Sequence, residues 1–219
     1  MTTSSIVSVE KLTEIGQKIE TFLKQQTTYM SEHTASSPRA VGDALQSILE
    51  EKFDEIVGDD VRGYSADFAR RAVADVAFTD SGDFYHVVDI KTHRLDTAFN
   101  MPNLTSVERL TRFYETDTNY FDLLLISYRV EGSDVQIAKV QFTPIEHLEW
   151  SCLTIGALGW GQIQIANSNR VVTDHSQNRR EWVIKLCDTM LAFYPTEIAK
   201  IGQRLDHFIQ TKEFWLAHP

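Results

Sequence analysis

Cysteine is scarce in this chain, whose 219 residues include two, Cys152 and Cys187. Two distant cysteines make no disulfide scaffold and lack the paired spacing of a zinc site. We therefore expect both to be reduced thiols in or near the core of a cytoplasmic protein. No run approaches the roughly 18 apolar residues of a membrane span. The N-terminus also lacks the basic and apolar regions of a secretory signal, so no membrane partner is expected.

Positive charge is also in short supply. Lysine and arginine number 21 against 31 aspartates and glutamates, which gives a net charge of −10. Proteins that bind nucleic acid without sequence preference are usually basic, so this balance counts against a general polyanion binder. It does not exclude a sequence-specific binder with a local basic surface, and carboxylates that hold a metal would add negative charge of their own.

Motifs of several common enzyme classes are missing too. The sequence has no glycine-rich phosphate loop, Ser-His-Asp signature, zinc motif, internal repeat or low-complexity tract. Apolar residues make up 42% of the chain and charged residues 24%, so a sizeable core is possible and disorder is not expected. Length and composition together predict a single domain over residues 1–219.

Apolar periodicity predicts helices at both ends of the chain and strands between them. The spacing predicts N-terminal helices over Val7–Tyr29 and Ala40–Val57, the second ended by Gly58. A further helix is predicted from Thr105 to Glu115, followed by antiparallel strands Tyr120–Val130 and Asp134–Phe142 around the turn Glu131-Gly132-Ser133. A strand region from Leu153 to Ala166 comes next. The last predicted elements are helices Arg180–Phe193 and Thr196–Lys212, which are separated by Pro195. This order predicts an α/β fold with a central mixed β-sheet flanked by helices.

The most informative stretch is a predicted pair of adjacent strands, Ala74–Phe78 and Val87–Lys91, joined by a turn rich in aspartate and glycine. Because side chains alternate along a strand, Asp89 and Lys91 should share one face while Ile90 points into the core. If the strands pair, Asp75 lies beside Asp89. Two carboxylates and an ammonium group would then converge at one sheet edge.

Such a cluster suits metal-dependent phosphodiester chemistry. Mg²⁺ prefers oxygen ligands and keeps several waters, so Asp75 and Asp89 are the candidate ligands. Lys91 beside the metal could orient or help to deprotonate a water. The alternative for Asp75 is a solvated acid at a strand end, and for Lys91 a salt bridge without chemistry. Asp89 is surrounded by apolar residues, and a buried carboxylate is costly without a partner or a metal.

Three sequence blocks resemble the PD-(D/E)xK nuclease superfamily, in particular type II restriction endonucleases of the HincII and EcoRV kind. The first is Ala74-Asp75 with Phe84–Thr92, where these relatives have a similar string ending in Asp-Val-Lys-Thr. Ala74 replaces the usual proline, a change that HincII shares. The second block is Pro102-Asn103, and the third is Gly161–Ile165 followed by a polar loop and Arg179–Trp182. The blocks span roughly residues 70–195, while the N-terminal helices match only loosely.

The resemblance implies a fold and an activity. The fold would be restriction-endonuclease-like, with a catalytic and DNA-reading core over residues 62–195 and N-terminal helices over residues 7–57 as candidate dimerisation elements. The activity would be Mg²⁺-dependent hydrolysis of double-stranded DNA by a homodimer at a short palindromic site, leaving 5′-phosphates and blunt ends. Mn²⁺ could replace Mg²⁺, and the Ile90 carbonyl could supply another metal ligand.

The resemblance also implies further site residues. An acid on the second helix often completes the family's site, and Asp43 is the candidate, with Glu50 and Glu51 as competitors. Two polar segments match the family's DNA-reading loops, and their candidate contacts are Phe99, Asn100, Asn103, Asn167, Asn169, Arg170 and Thr173. Asparagine can pair with an adenine edge, and an apolar wedge can unstack bases. The alternative is that Phe99 packs against the body and the polar residues form ordinary solvated loops.

Two rival functions remain open at this point. One is another nuclease of the same superfamily, such as a repair or junction-resolving enzyme. The other is a non-catalytic DNA-binding or structural module that has kept the fold, for which the acidic surface would suit a protein partner. The presence of Asp75, Asp89 and Lys91 together argues against the second.

Overall fold

The structure is a computed structural model that describes residues 3–26, 37–65, 74–131 and 134–218. The predicted end of the first helix at Tyr29 and the turn residues Gly132 and Ser133 lie outside these ranges. The chain divides into two compact units, one ending at Ser176 and the other beginning at Gln177. The first unit contains both sheets and the second contains the C-terminal helix.

A mixed five-stranded sheet forms the centre of the first unit. Its strands are β1 (Arg62–Ser65), β2 (Val76–Thr79), β3 (Tyr85–Arg94), β5 (Asn119–Glu131) and β6 (Asp134–Pro144), in the order β1-β2-β3-β5-β6. Strands β3 and β5 run parallel, and the other neighbouring pairs are antiparallel. The predicted pairings of β2 with β3 and of β5 with β6 are confirmed, as is the mixed central sheet flanked by helices.

Two helices cover one face of this sheet, α1 (Val9–Gln25) and α2 (Pro38–Val57). Serine side chains cap both N-termini, Ser8 by accepting from Lys11 N–H and Ser37 by accepting from Ala40 N–H. Gly58 ends α2 with φ of 75°, a conformation that favours glycine. The buried apolar residues of these helices and of the sheet form one core, whose members include Ile15, Ile19, Leu45, Phe53, Val88, Ile90, Leu124 and Phe142. Each fully buried side chain of this size contributes about 1.5–3 kcal/mol.

A smaller antiparallel sheet has the strand order β4-β8-β7, with β4 over Asn103–Ser106, β7 over Leu153–Gly156 and β8 over Gln162–Ile165. Helix α3 (Val107–Phe113) follows β4, and Ser106 caps it. The helix therefore begins later than the predicted Thr105, because the preceding residues pair with β8. The predicted strand region 153–166 consists of two strands separated by a turn, in which Gly159 and Gly161 have positive φ.

The second unit consists mainly of α4 (Arg179–Ala217), one helix of 39 residues that contains Pro195. The predicted break at Pro195 is wrong, because a single proline removes one N–H donor while the turns on either side keep theirs. Cys187 is exposed on this helix, so the prediction that both cysteines lie in or near the core holds only for Cys152. Among the described residues, no helix has the length and apolar content needed to cross a bilayer.

Candidate active site

Asp75 lies at the point where β2 meets β3. Its N–H donates to the Val88 carbonyl at 3.0 Å, one residue before the first paired position of β2, Val76. Its side chain then continues along the edge of β3, where Oδ2 accepts a hydrogen bond from Ile90 N–H at 2.7 Å. The predicted approach of Asp75 to the second strand is therefore present.

Asp89 and Lys91 share one face of β3, as their spacing predicts, and the buried side chain of Ile90 packs in the core on the other face. Lys91 Nζ donates to Asp89 Oδ1 at 2.6 Å. Asp89 is 5% exposed. Its second oxygen, Oδ2, is buried and accepts no hydrogen bond from the described residues. A buried carboxylate oxygen without a donor is costly, so this atom is a position where a cation would be favourable.

The surroundings of both carboxyl groups disfavour their charged forms. Burial raises the pKa of Asp89 to about 7. The ammonium group of Lys91 acts in the opposite direction and lowers this pKa, whereas the negative charge of Asp75 raises it further. Burial also raises the pKa of Asp75, whereas the Ile90 N–H and Lys91 oppose the rise and Glu50 adds to it. Because burial raises the pKa of both carboxyl groups, both would gain from a bound cation.

The backbone of Ile90 adds an oxygen to this cluster. A strand residue directs its N–H and its C=O toward the same edge, and the Ile90 N–H points to Asp75 beyond the start of β2. The Ile90 carbonyl therefore faces that same edge. Two carboxylates and a carbonyl form an all-oxygen donor set, which suits Mg²⁺ because this ion keeps several of its own waters. Among the described residues there is no group of three or more histidine, cysteine, aspartate or glutamate side chains that could hold a metal.

Helix α2 supplies polar groups on the other side of Asp75. Gln46 Nε2 lies 2.7 Å from Asp75 Oδ1 and 2.8 Å from Glu50 Oε1, so it bridges the two carboxylates. The helix approaches β3 closely at Gly42, where an added Cβ would lie 2.9 Å from Thr92 Oγ1. The sequence reasoning missed Gln46, although its spacing of four residues from Glu50 places both on one side of a helix.

Among the three acids considered on α2, the contacts favour Glu50. Asp43, the first candidate, has a side chain that is 74% exposed and lies 4.0 Å from Arg39 Nε. The structure does not bring Asp43 into hydrogen-bond contact with Asp75, Asp89 or Lys91. Glu51 is also exposed. Glu50 reaches the cluster through Gln46, so it is the acid that the fold places nearest to the metal candidates.

The two predicted DNA-reading segments lie against each other and against the end of β3. Ser168 N–H donates to the Asn100 carbonyl at 2.8 Å, and Asn169 Nδ2 donates to the Thr97 carbonyl at 2.9 Å. Asn169 Oδ1 lies 2.8 Å from Nε2 of His93, two residues beyond Lys91. Both segments therefore form one surface beside the carboxylate cluster, although more than sixty residues separate them in sequence.

The candidate contact residues differ in how free their side chains are. Phe99 is 58% exposed, so it does not pack into the body, and Arg170 is also exposed. Asn103 accepts a hydrogen bond from Gln164 at 2.6 Å, and Asn167 caps the turn at Ser168–Arg170. Of the remaining three, Asn169 is exposed, whereas Asn100 beside His93 Nδ1 and Thr173 in a bridge to Leu148 are partly buried.

Two recesses border this surface. One, of about 210 Å³, opens beside Lys91, and its polar lining residues include Thr92, His93, Ser127, Lys139, Gln141 and Asn169. The other, of about 270 Å³, is bordered among others by Arg39, His93, Arg94, Phe99, Asn100 and Tyr128. Three cationic side chains, Arg39, Arg94 and Lys139, border these recesses in a chain that is acidic as a whole, and Arg94 is paired with Asp96 at 2.6 Å.

A separate charged network is fully buried beneath the β2–β3 turn. His86 Nδ1 lies 2.6 Å from Asp122 Oδ2, its Nε2 lies 3.1 Å from Ser4 Oγ, and Ser4 donates to Asp80 at 2.6 Å. The His86 ring is stacked between Phe78 and Tyr120. Burial alone would lower the pKa of His86, but the charge and hydrogen bonds of Asp122 and Asp80 outweigh it and raise the pKa to about 9.

This network is structural despite its serine, histidine and aspartate. With a pKa of about 9, His86 carries both ring protons at neutral pH, so it cannot take a proton from Ser4. The Ser4 hydroxyl donates to Asp80, and Ser4 is 4% exposed, which leaves no access for a substrate. Hydrogen bonds from His86, Ser4, Phe84 and Gly82 overcome the effect of burial and hold the pKa of Asp80 well below its usual range.

We expect stability to fall as pH rises through about 9 because of His86. Its folded pKa exceeds the unfolded value of about 6.5, so its contribution is complete below about pH 6.5 and is lost between about 6.5 and 9. For a fully buried group such as His86, the expected loss in the free energy of unfolding is of order 3 kcal/mol. Urea unfolding followed by circular dichroism at pH 6.5 and 9.5 measures it. The variant His86→Gln should show a flatter dependence, and an equal slope in both proteins would contradict the assignment.

No protein-family model matches this chain, and no curated protein matches its sequence. The resemblance to PD-(D/E)xK nucleases therefore depends on the three sequence blocks.

Proposed function

We propose that this protein is a type II restriction endonuclease, a Mg²⁺-dependent enzyme that hydrolyses double-stranded DNA at a short palindromic site. The observation that carries the proposal is the convergence of Asp75, Asp89 and Lys91 at one sheet edge, with Asp89 Oδ2 buried and unpaired among the described residues. A purely structural ion pair would not require a second carboxylate at the same edge, nor leave a buried oxygen without a donor.

The residues that would hold the metal are Asp75, Asp89 and the carbonyl of Ile90. When bound, Mg²⁺, or Mn²⁺ in its place, supplies a Lewis acid that activates water and neutralises charge on the scissile phosphate. The Asp89 oxygen that has no donor in the described part of the chain and the raised pKa of both carboxyl groups fit this role, because a cation would relieve each of them.

Lys91 has two roles in this scheme. Its ammonium opposes the effect of burial on the pKa of Asp89, so it favours the ionised carboxylate that a metal needs. The Lys91 side chain is 24% exposed, so its remaining N–H groups can donate to a phosphate oxygen or to the attacking water. Gln46 holds Asp75 from the opposite side and keeps Glu50 close to it.

The joined loops beside the cluster support duplex DNA as the substrate. Phe99 is exposed where it could wedge between bases, and Arg170 is exposed on the adjoining segment. Arg39 and Arg94 border the same recess as Phe99, where they could contact phosphates. We assign base contacts to Asn103 and to the segment from Asn167 to Thr173. A homodimer would match the two-fold symmetry of a palindrome, and the products would carry 5′-phosphates at blunt ends.

Digestion of a DNA of known sequence tests this function. The purified protein is incubated with phage DNA in Mg²⁺, in Mn²⁺ or in excess EDTA, and the products are separated on a gel. The proposal predicts discrete fragments with either metal and none with EDTA. A smear would point to a nuclease without sequence specificity, and intact DNA with both metals would contradict the proposal.

The variant Gln46→Leu should lower the rate of cleavage by roughly 10- to 100-fold. Leucine has a similar volume but cannot donate to Asp75 Oδ1 or bridge it to Glu50, and a misplaced ligand costs about this much. Single-turnover cleavage at saturating protein measures the effect. Gln203→Leu, an exposed residue of α4, is the control, and an equal rate in all three proteins would remove Gln46 from the site.

A further inference from the structure

Helix α4 carries an apolar stripe with the period of a coiled coil. Its positions alternate in steps of three and four residues along more than four heptads: Ile184, Cys187, Leu191, Tyr194, Ile198, Ile201, Leu205, Phe208, Lys212 and Trp215. Nine of these ten residues are apolar or aromatic, and a pattern with this spacing favours a left-handed pair of helices. We call these ten residues the α4 seam.

The α4 seam is exposed along its length. Leu191, Ile198 and Leu205 are 72%, 69% and 60% exposed, and Phe208 and Trp215 are each 67% exposed. The buried residues Trp182, Leu186 and Met190 lie on a different side of the same helix. Together, the exposed seam side chains present roughly 1,000 Å² of mostly apolar surface, more than the largest patch of a typical monomer and enough for one side of a stable interface.

We propose that two copies of this chain pair through their α4 seams as an antiparallel coiled coil. When the seam is reversed and placed against itself, its layers are Ile198 with Ile201, Tyr194 with Leu205, Leu191 with Phe208, Cys187 with Lys212, and Ile184 with Trp215. The seam's one charged residue then meets its smallest, which leaves space for the lysine stem. A parallel pair would instead place two Lys212 ammonium groups in one layer, where like charges repel.

Other features of the chain also favour a second copy of the same chain as the partner of the α4 seam. The apolar faces of α1 and α2, the N-terminal candidates for dimerisation, are both buried in the core. Helix α4 mixes acids with bases, among them Asp188, Glu197, Arg204 and Glu213, whereas a helix that lies on anionic lipid is rich in lysine and arginine. The inference depends on α4 alone. Pairing through the α4 seam can therefore be absent while DNA cleavage is observed, and the pairing can be observed while DNA cleavage is absent.

The molar mass in solution tests the pairing. Sedimentation equilibrium at micromolar concentration should give twice the 25.0 kDa of one chain. The double variant Ile201→Glu with Leu205→Glu should give half the mass of the wild-type protein and keep its far-ultraviolet dichroism. The control, Gln203→Glu with Gln210→Glu on the opposite side of the helix, should remain a dimer. A monomeric wild-type protein, or a dimer that survives the seam variant, would overturn the proposal, as would a monomer that binds anionic lipid vesicles.

Cross-linking tests the antiparallel arrangement. Lys212→Cys places a thiol opposite Cys187 of the second copy, so mild oxidation should give a covalent dimer on a non-reducing gel. The double variant Cys187→Ser with Lys212→Cys should give none. A covalent dimer of that double variant, or of the wild-type protein through Cys187, would indicate parallel helices and overturn this arrangement.

Discussion

The substitution Asp89→Asn is expected to lower the rate of DNA cleavage by at least about 10³-fold, or about 4 kcal/mol of transition-state stabilisation. The asparagine oxygen can still accept the hydrogen bond that Lys91 now gives to Asp89 Oδ1. The substitution removes the negative charge of Asp89. It also puts an amide donor at the position of Oδ2, which is buried without a partner among the described residues. Loss of a metal-ligating carboxylate should therefore remove activity without removing the local packing.

The same variant should fold with unchanged or slightly higher stability at pH 8. Burial raises the pKa of Asp89 above its unfolded value to about 7. At pH 8 the carboxyl group is therefore ionised in a site that disfavours the charge, which lowers the free energy of unfolding. The neutral amide of asparagine does not carry this cost. Thermal unfolding checks the fold, and Asp134→Asn, an exposed acid at the start of β6, is the matched control for cleavage. A folded Asp89→Asn protein that cuts DNA at the wild-type rate would remove this strand pair from the active site.

Lys91→Met should lower the maximal rate of cleavage by about 10³-fold and leave DNA affinity nearly unchanged. Methionine keeps much of the apolar stem but loses the ammonium that pairs with Asp89 and can donate to the scissile phosphate or the water. Single-turnover rates at saturating protein measure the chemical step. Binding of labelled duplex in Ca²⁺ measures affinity separately.

The control for this variant is Lys52→Met, because Lys52 is a partly exposed lysine of α2 paired with Glu55. Loss of one surface charge should change cleavage by less than about threefold, since such pairs contribute at most about 1 kcal/mol. A Lys91→Met protein with full activity would leave Lys91 as a structural ion-pair partner of Asp89. That outcome would favour the alternative in which Lys91 forms a salt bridge and takes no part in the reaction.

Local sequence patterns predicted the strand pair that forms the cluster. Alternation along β3 places Asp89 and Lys91 on one face and Ile90 on the other, and a turn rich in aspartate and glycine joins the two strands. These features depend on neighbouring residues, and period-two alternation is unambiguous where one face is buried. The position of Asp75 beside β3 followed once the two strands were taken to pair.

Features that depend on distant contacts could not be predicted in this way. The bridge from Gln46 to Asp75 exists because α2 approaches β3 closely at Gly42, which no local pattern reveals. The buried network around His86 joins residues from Ser4 to Asp122. The break expected at Pro195 failed for another reason, since proline lowers helix propensity without forbidding a long helix.

Titration of the protein with Mn²⁺ or Mg²⁺ by isothermal calorimetry tests the central claim most directly. The proposal predicts saturable binding to the wild-type protein that is lost or greatly weakened in Asp89→Asn and in Asp75→Asn, and retained in Asp134→Asn. The absence of binding to the wild-type protein, or equal binding to all four proteins, would contradict the assignment of Asp75, Asp89 and Lys91 as a metal-dependent catalytic centre.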